Sequence, residues 1–142
     1  MPKHVDQVFI GFGANDATYG MEPEDFHQGI PKSVYAECLR GMIEEARKYT
    51  NNIVLVTPPP LKQFEHRNKE KTEEYAQISV QIARETGVKL MDIRIHPDRL
   101  ENIWADGLHM NEKGNALYAD CASEIIGELP YWRDHWKVWP RK

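Results

Sequence analysis

Gln7-Val8-Phe9-Ile10-Gly11-Phe12 is apolar after its first residue, shows no polar alternation, and ends in Gly13-Ala14-Asn15-Asp16. A strand with one wet face alternates apolar and polar side chains, whereas a strand covered on both faces has no need to. The stretch therefore predicts a strand buried on both faces of a parallel sheet, with a turn at its carboxyl end. Asn52-Ile53-Val54-Leu55-Val56-Thr57 repeats the pattern and stops at Pro58-Pro59-Pro60, whose missing N–H groups force the chain out of the sheet. Val88-Lys89-Leu90-Met91-Asp92-Ile93 supplies a third strand.

Between these runs the apolar period changes to that of a helix. Pro31 suits a first helical turn, and Tyr35, Cys38, Leu39, Met42, Ile43 and Ala46 recur at three- and four-residue spacing, predicting a helix over about 32–49. A charged run from His66 to Glu74 reads as the solvated start of a second helix, with Tyr75, Ile78, Ser79, Ile82 and Ala83 inward and Gly87 closing it in a left-handed conformation. Asn111 can cap a third helix with Leu117, Cys121, Ile125 and Leu129 on its inner face. Strands alternating with helices give an α/β fold, here a three-layer α/β/α sandwich with a parallel, flavodoxin-like sheet.

The 142 residues are expected to form one domain, burying roughly two-thirds of the surface of the unfolded chain. A polar stretch with Gly20, Pro23 and Gly29 reads as a long loop, and the aromatic tail over 130–142 is expected to pack back on the domain. The net charge is −4, and the basic residues form no stripe that would neutralise a phosphate backbone, so nucleic acid is not an expected partner. No segment approaches the ~20 apolar residues of a membrane span, and no signal-type stretch is found at the start. Cys38 and Cys121 sit among apolar residues at helical spacing and read as buried thiols in a reducing, cytoplasmic setting.

Ligands of an open α/β sheet bind beyond the carboxyl ends of its strands, which directs attention to Gly13–Asp16 and to Asp106-Gly107-Leu108-His109. The Asn15 amide could donate to a developing oxyanion or simply cap the turn. Asp106 could orient His109 as a general base, or cap a turn beside a surface histidine. Gly11-Phe12-Gly13 begins like a dinucleotide fingerprint, but Asp16 stands at the third glycine position and its carboxylate would repel a pyrophosphate. The histidines show no metal-binding spacing, so no metal and no cofactor are expected. Ser33, Ser79 and Ser123 fall on helices, where none is an activated nucleophile.

Together, Gly13-Ala14-Asn15-Asp16 and Asp106-Gly107-Leu108-His109 resemble the GxND and DxxH blocks of the SGNH/GDSL hydrolases. The surroundings resemble the isoamyl acetate-hydrolysing esterase branch: Ile30-Pro31 before a tyrosine-bearing helix, Val56-Thr57-Pro58-Pro59-Pro60, Lys113-Gly114-Asn115 and Leu129-Pro130-Tyr131-Trp132-Arg133-Asp134. The resemblance implies a serine carboxylic ester hydrolase acting on small esters. His109 would be its general base, Asp106 the residue orienting that base, Asn15 and the Gly13 region part of the oxyanion hole, and Asp16 a loop anchor.

That family also uses a Gly-Asp-Ser block on a strand beside the one ending at Asn15, and the sequence contains no Gly-Asp-Ser. The resemblance thus implies missing N-terminal strands, no nucleophile in this chain and an open edge on an apolar strand, which invites pairing. Either the chain is the C-terminal part of a longer protein, or it self-associates as a catalytically dead interaction domain, or another polypeptide fills the gap.

Overall fold

The computed structural model describes residues 5–17, 29–61 and 69–127. The three strands form where the apolar runs predict them, somewhat shorter: β1 (Val8–Gly11), β2 (Ile53–Val56) and β3 (Lys89–Met91). All pair in parallel in the order β1-β2-β3, with Val8 opposite Ile53 and Leu55 opposite Leu90. The helices are α1 (Lys32–Ala46), α2 (Lys69–Thr86) and α3 (Glu112–Gly127), with short 3-10 turns at Ile93–Ile95 and Pro97–Arg99.

The central strand sets the layers. Successive side chains of a strand point to opposite faces, so Ile53 and Leu55 of β2 meet Tyr35, Leu39 and Ile43 of α1 and Tyr75 and Ile82 of α2. Val54 and Val56 point the other way, onto Ile93, Ile103, and Leu117 and Cys121 of α3. Each of these β2 side chains is buried, a gain of about 1.5–3 kcal/mol apiece over exposure. The result is an α/β/α sandwich with α1 and α2 on one face and α3 on the other.

Helix ends follow their sequence signals. Gly87 closes α2 at φ +70°, a conformation that glycine adopts without a steric penalty. Asn111 caps α3: its Oδ1 accepts from the N–H of Lys113 at 2.9 Å and of Gly114 at 3.1 Å.

Three expectations are corrected. β1 is not covered on both faces: Ile10 is buried among α1 and α2, but Phe9 is 38% and Phe12 54% exposed. The strand lies at the sheet edge among the described residues, and α3 packs over β3 rather than β1. Helix α1 ends at Ala46 instead of Tyr49, because the chain turns at 47–49. Cys121 is buried as expected, but Cys38 is exposed; it lies one residue, and so about 100° of helical rotation, from the fully buried Leu39. Leu129, the aromatic tail, most of the 18–29 loop and the first part of the 66–74 charge run lie outside the described residues.

Candidate active site

Beyond β1 the chain makes a tight turn closed by its own carboxylate. The N–H of Gly13 donates to Asp16 Oδ2 at 3.0 Å, that of Ala17 to the Gly13 carbonyl at 3.0 Å, and that of Ile30 to the Asp16 carbonyl at 3.0 Å. Asp16 is thus an anchor of this turn. Gly13 has φ +119°, and a Cβ there would stand 2.7 Å from the Tyr35 hydroxyl and 2.9 Å from Pro58 Cγ. Only glycine fits, and the turn it permits leaves Asn15 exposed.

A cavity of about 340 Å³ opens here, lined among others by Gly13, Asn15 and Asp16 from this turn, Thr57 and Pro58 after β2, and Tyr118 of α3. It lies at the carboxyl ends of the strands, where an open α/β sheet places ligands. Thr57 is held from behind: its hydroxyl donates to Asp92 Oδ1 at 3.1 Å, and Asp92 also receives the Arg94 guanidinium at 2.6 and 2.7 Å. Arg94 in turn reaches Glu73 at 2.6 Å. Burial pushes the Asp92 carboxyl up, but the bonds from Arg94, joined by Thr57, outweigh burial and leave it below its ordinary range.

Asp106 and His109 occupy a hairpin between Ile103 and Asn111. An antiparallel bridge joins Trp104 to Met110, the Ala105 N–H donates to the His109 carbonyl at 2.8 Å, and the Asn111 N–H donates to the Ile103 carbonyl at 2.9 Å. The Asn111 amide also ties the hairpin's first strand by donating to the Asn102 carbonyl at 2.7 Å and the Trp104 carbonyl at 3.3 Å. At the tip, Gly107 has φ +93°.

Asp106 Oδ1 accepts from the N–H groups of Leu108 at 2.9 Å and His109 at 2.7 Å, while its Oδ2 lies 2.6 Å from His109 Nδ1. The His109 ring, then the two N–H groups, holds this carboxyl well below the usual carboxylate range. A proton on Nδ1 satisfies the contact and leaves the Nε2 lone pair as the basic site, on a ring that is 74% exposed. Gly13 and Asn15 thus line the cavity, whereas Asp106 and His109 pair with each other outside its lining.

Thr57 and Gly114 fall in blocks that carry the family resemblance but were given no role of their own, and Tyr118 was not singled out. Thr57 carried a signal, since it is the polar residue between the apolar β2 run and the prolines that end it. Tyr118 did not stand out, because an aromatic residue on a helix reads as core. Gly114 is buried in the first turn of α3, where a Cβ would stand 2.5 Å from the Ile103 carbonyl oxygen. Among the described residues, no cluster of His, Cys, Asp and Glu is placed to hold a metal, and no helix is long and apolar enough to cross a membrane.

The GDSL-like lipase/acylhydrolase family model matches residues 2–117, and the chain belongs to that family. It is 28% identical over 154 residues to the isoamyl acetate-hydrolyzing esterase 1 homolog of Mus musculus, covering 89% of this chain and 61% of that protein. Among solved structures, the lipase/acylhydrolase from Enterococcus faecalis superposes with a TM-score of 0.67 at 28% identity, over 87% of this chain and 63% of that one. The acetylxylan esterase Axe2 from Geobacillus stearothermophilus shares the fold, with a TM-score of 0.71 at 24% identity over 86% and 59% of the two chains. The chain thus spans about three-fifths of the length of these relatives.

Proposed function

We propose that this chain carries the oxyanion-binding and proton-transferring parts of a carboxylic ester hydrolase for small acyl esters. The observation that carries the proposal is the 2.6 Å contact between Asp106 Oδ2 and His109 Nδ1. In this reading Asp106 orients the ring, and His109 Nε2 takes the proton of an attacking serine hydroxyl and passes it to the departing alcohol. The Asn15 amide donates to the oxyanion of the tetrahedral intermediate, an interaction worth about 3–4 kcal/mol of barrier. Gly13 supplies the turn that presents Asn15, its own N–H being bonded to Asp16. The name of the mouse relative supports an ester such as isoamyl acetate as the substrate class.

The nucleophile is not among this chain's serines. Ser79 is fully buried, and Ser33 and Ser123 lie on α1 and α3 outside the cavity lining. We therefore expect the isolated chain to show negligible turnover of p-nitrophenyl acetate and to form no acyl-enzyme. Turnover abolished by an organophosphate would overturn that. Sodium acetate, as the product oxyanion, should shift the Asn15 side-chain amide signals in a nitrogen-proton NMR spectrum. Unchanged signals at saturating acetate would overturn the oxyanion role.

A second reading, an interaction domain without catalysis, is favoured by the β1 edge. The Val8 N–H donates toward β2, to the Asn52 carbonyl at 3.0 Å, so Phe9 and Gly11 direct their backbone groups to the opposite side. An apolar cavity of about 360 Å³ lies there, lined among others by Val8, Phe9, Phe12, Met42 and Tyr49. Such an edge is a template for another strand, and self-association through it would give a concentration-dependent dimer in sedimentation; a monomer at all concentrations would exclude it.

A further inference from the structure

The turn that carries Asn15 is fastened from beneath by a buried polar network with no part in the chemistry proposed above. Tyr35 of α1 is 2% exposed, Tyr75 of α2 is 1% exposed, and Ser79, also on α2, is 0% exposed. Their rings and hydroxyls lie between the two helices and the first strand, with the tyrosine ring centroids 5.0 Å apart. Three hydroxyls inside an apolar cluster are costly unless each is hydrogen-bonded.

Proton accounting gives the network a direction. Tyr35 has one hydroxyl proton, and the Phe12 carbonyl at 3.0 Å can only accept it. The 2.9 Å contact between Tyr35 Oη and Ser79 Oγ is therefore made by the serine proton, which also has the Tyr75 carbonyl within 3.2 Å. Tyr75 donates its own hydroxyl to the carbonyl of Ile30. The relay runs from Ser79 to Tyr35 to Phe12, and a parallel bond runs from Tyr75 to Ile30.

Both acceptors border the Asn15 turn. Phe12 precedes Gly13, whose α-carbon rests so close to the Tyr35 hydroxyl that a Cβ would come within 2.7 Å of it. Ile30 is bonded to the far end of the same turn through its N–H and the Asp16 carbonyl. Burial pushes the Tyr35 hydroxyl up to about 12, so it keeps its proton throughout the neutral range.

We infer that Tyr35 and Tyr75 are positioning residues for the oxyanion-binding turn: Tyr35 fixes its entry through the Phe12 carbonyl, and Tyr75 fixes its exit through Ile30. The relation to catalysis rests on the reading of Asn15 as the oxyanion donor. The mechanical claim about the turn does not. Tyr35→Phe keeps the ring in the core and removes only the hydroxyl, orphaning the Phe12 carbonyl and leaving the Ser79 proton to the Tyr75 carbonyl alone.

Amide hydrogen exchange on the full chain tests this. In Tyr35→Phe, protection at Gly13 and Ala17 should fall about tenfold relative to Val54 and Leu55 of β2, because one hydrogen bond and the penalty for its orphaned partner are lost locally. In Tyr75→Phe the fall should centre on Ile30 and leave Gly13 nearly unchanged. Should one variant fail to fold, Ser79→Ala, which withdraws the donor from Tyr35, should loosen Gly13 by a smaller factor. Protection that falls equally at Gly13, Ile30 and β2 would show that these hydroxyls merely stabilise the core, and would overturn the inference. If exchange follows the expected pattern but acetate leaves the Asn15 amide unmoved, the positioning device stands and the esterase reading of the turn fails.

Discussion

Gly114 and Ile103 lie in a contact that admits no side chain: a Cβ on the glycine would come within 2.5 Å of the isoleucine carbonyl oxygen and 2.9 Å of Met110 Cβ. This close approach seats the first turn of α3 against both arms of the hairpin that presents Asp106 and His109. Gly114→Ala should push them apart. Overpacking costs about 1–3 kcal/mol, of which the better helix propensity of alanine recovers up to about 1. We expect a net loss of about 1–2 kcal/mol in denaturant unfolding with an unchanged m value; a variant as stable as the wild type would refute the contact.

The Asp106 carboxyl titrates lower than an ordinary aspartate, first because of the His109 ring and then because of two N–H donors. A depressed folded value means that the contribution is complete above the unfolded value, about 3.9, and is lost only as pH falls through the folded one. The Leu108 and His109 amide signals should therefore stay constant through the ordinary carboxylate range and move only in stronger acid. A midpoint near the ordinary value would contradict the geometry. Asp106→Asn should remove the acid transition.

Asp92 offers a second pH test, in a more enclosed place. Burial raises its carboxyl, but the Arg94 and Thr57 bonds bring it below its ordinary range, so its stabilisation too is present at neutral pH and lost on acidification. Asp92→Asn should cost about 2 kcal/mol at neutral pH, in the range of hydrogen bonds to charged groups. Between about pH 7 and about pH 3 the wild type should lose more unfolding free energy than the variant. Equal losses would show that the Arg94 and Thr57 contacts carry no charge-dependent stability.

Phe9 tests the β1 edge. It is 38% exposed on the strand's uncovered face, so Phe9→Lys should leave the monomer folded while setting a charge where another strand would pair. If the chain self-associates there, the dimer dissociation constant should rise at least about tenfold, or 1.4 kcal/mol. Association unaffected by the substitution would place the contact elsewhere.

Much of this architecture is local in origin and so was legible in residue order. Apolar runs ending in Gly13 and Pro58 mark strand ends, Gly87 and Asn111 mark helix ends, and the Asp106–His109 contact spans three residues and needs only a tight turn. Each depends on backbone conformation or hydrogen bonding within a few positions.

The rest depends on where elements stand relative to one another. The same kind of apolar run is buried in β2 and half exposed in β1, because among the described residues β2 has a strand on each side and helices over both faces, while β1 has one partner and one covered face. Cys38 shares the apolar spacing of α1 yet faces water, and Tyr118, which no motif in the sequence marks, walls a cavity. The sequence by itself determined the strand and helix segments, their turns and the paired carboxylate and imidazole. Only tertiary structure decided which strand lies at the sheet edge among the described residues, that Gly114 must lack a side chain, and that the Tyr35 and Tyr75 hydroxyls meet the Phe12 and Ile30 carbonyls. Those outcomes arise from contacts between residues far apart in the chain, and neither periodicity nor local motif records such contacts.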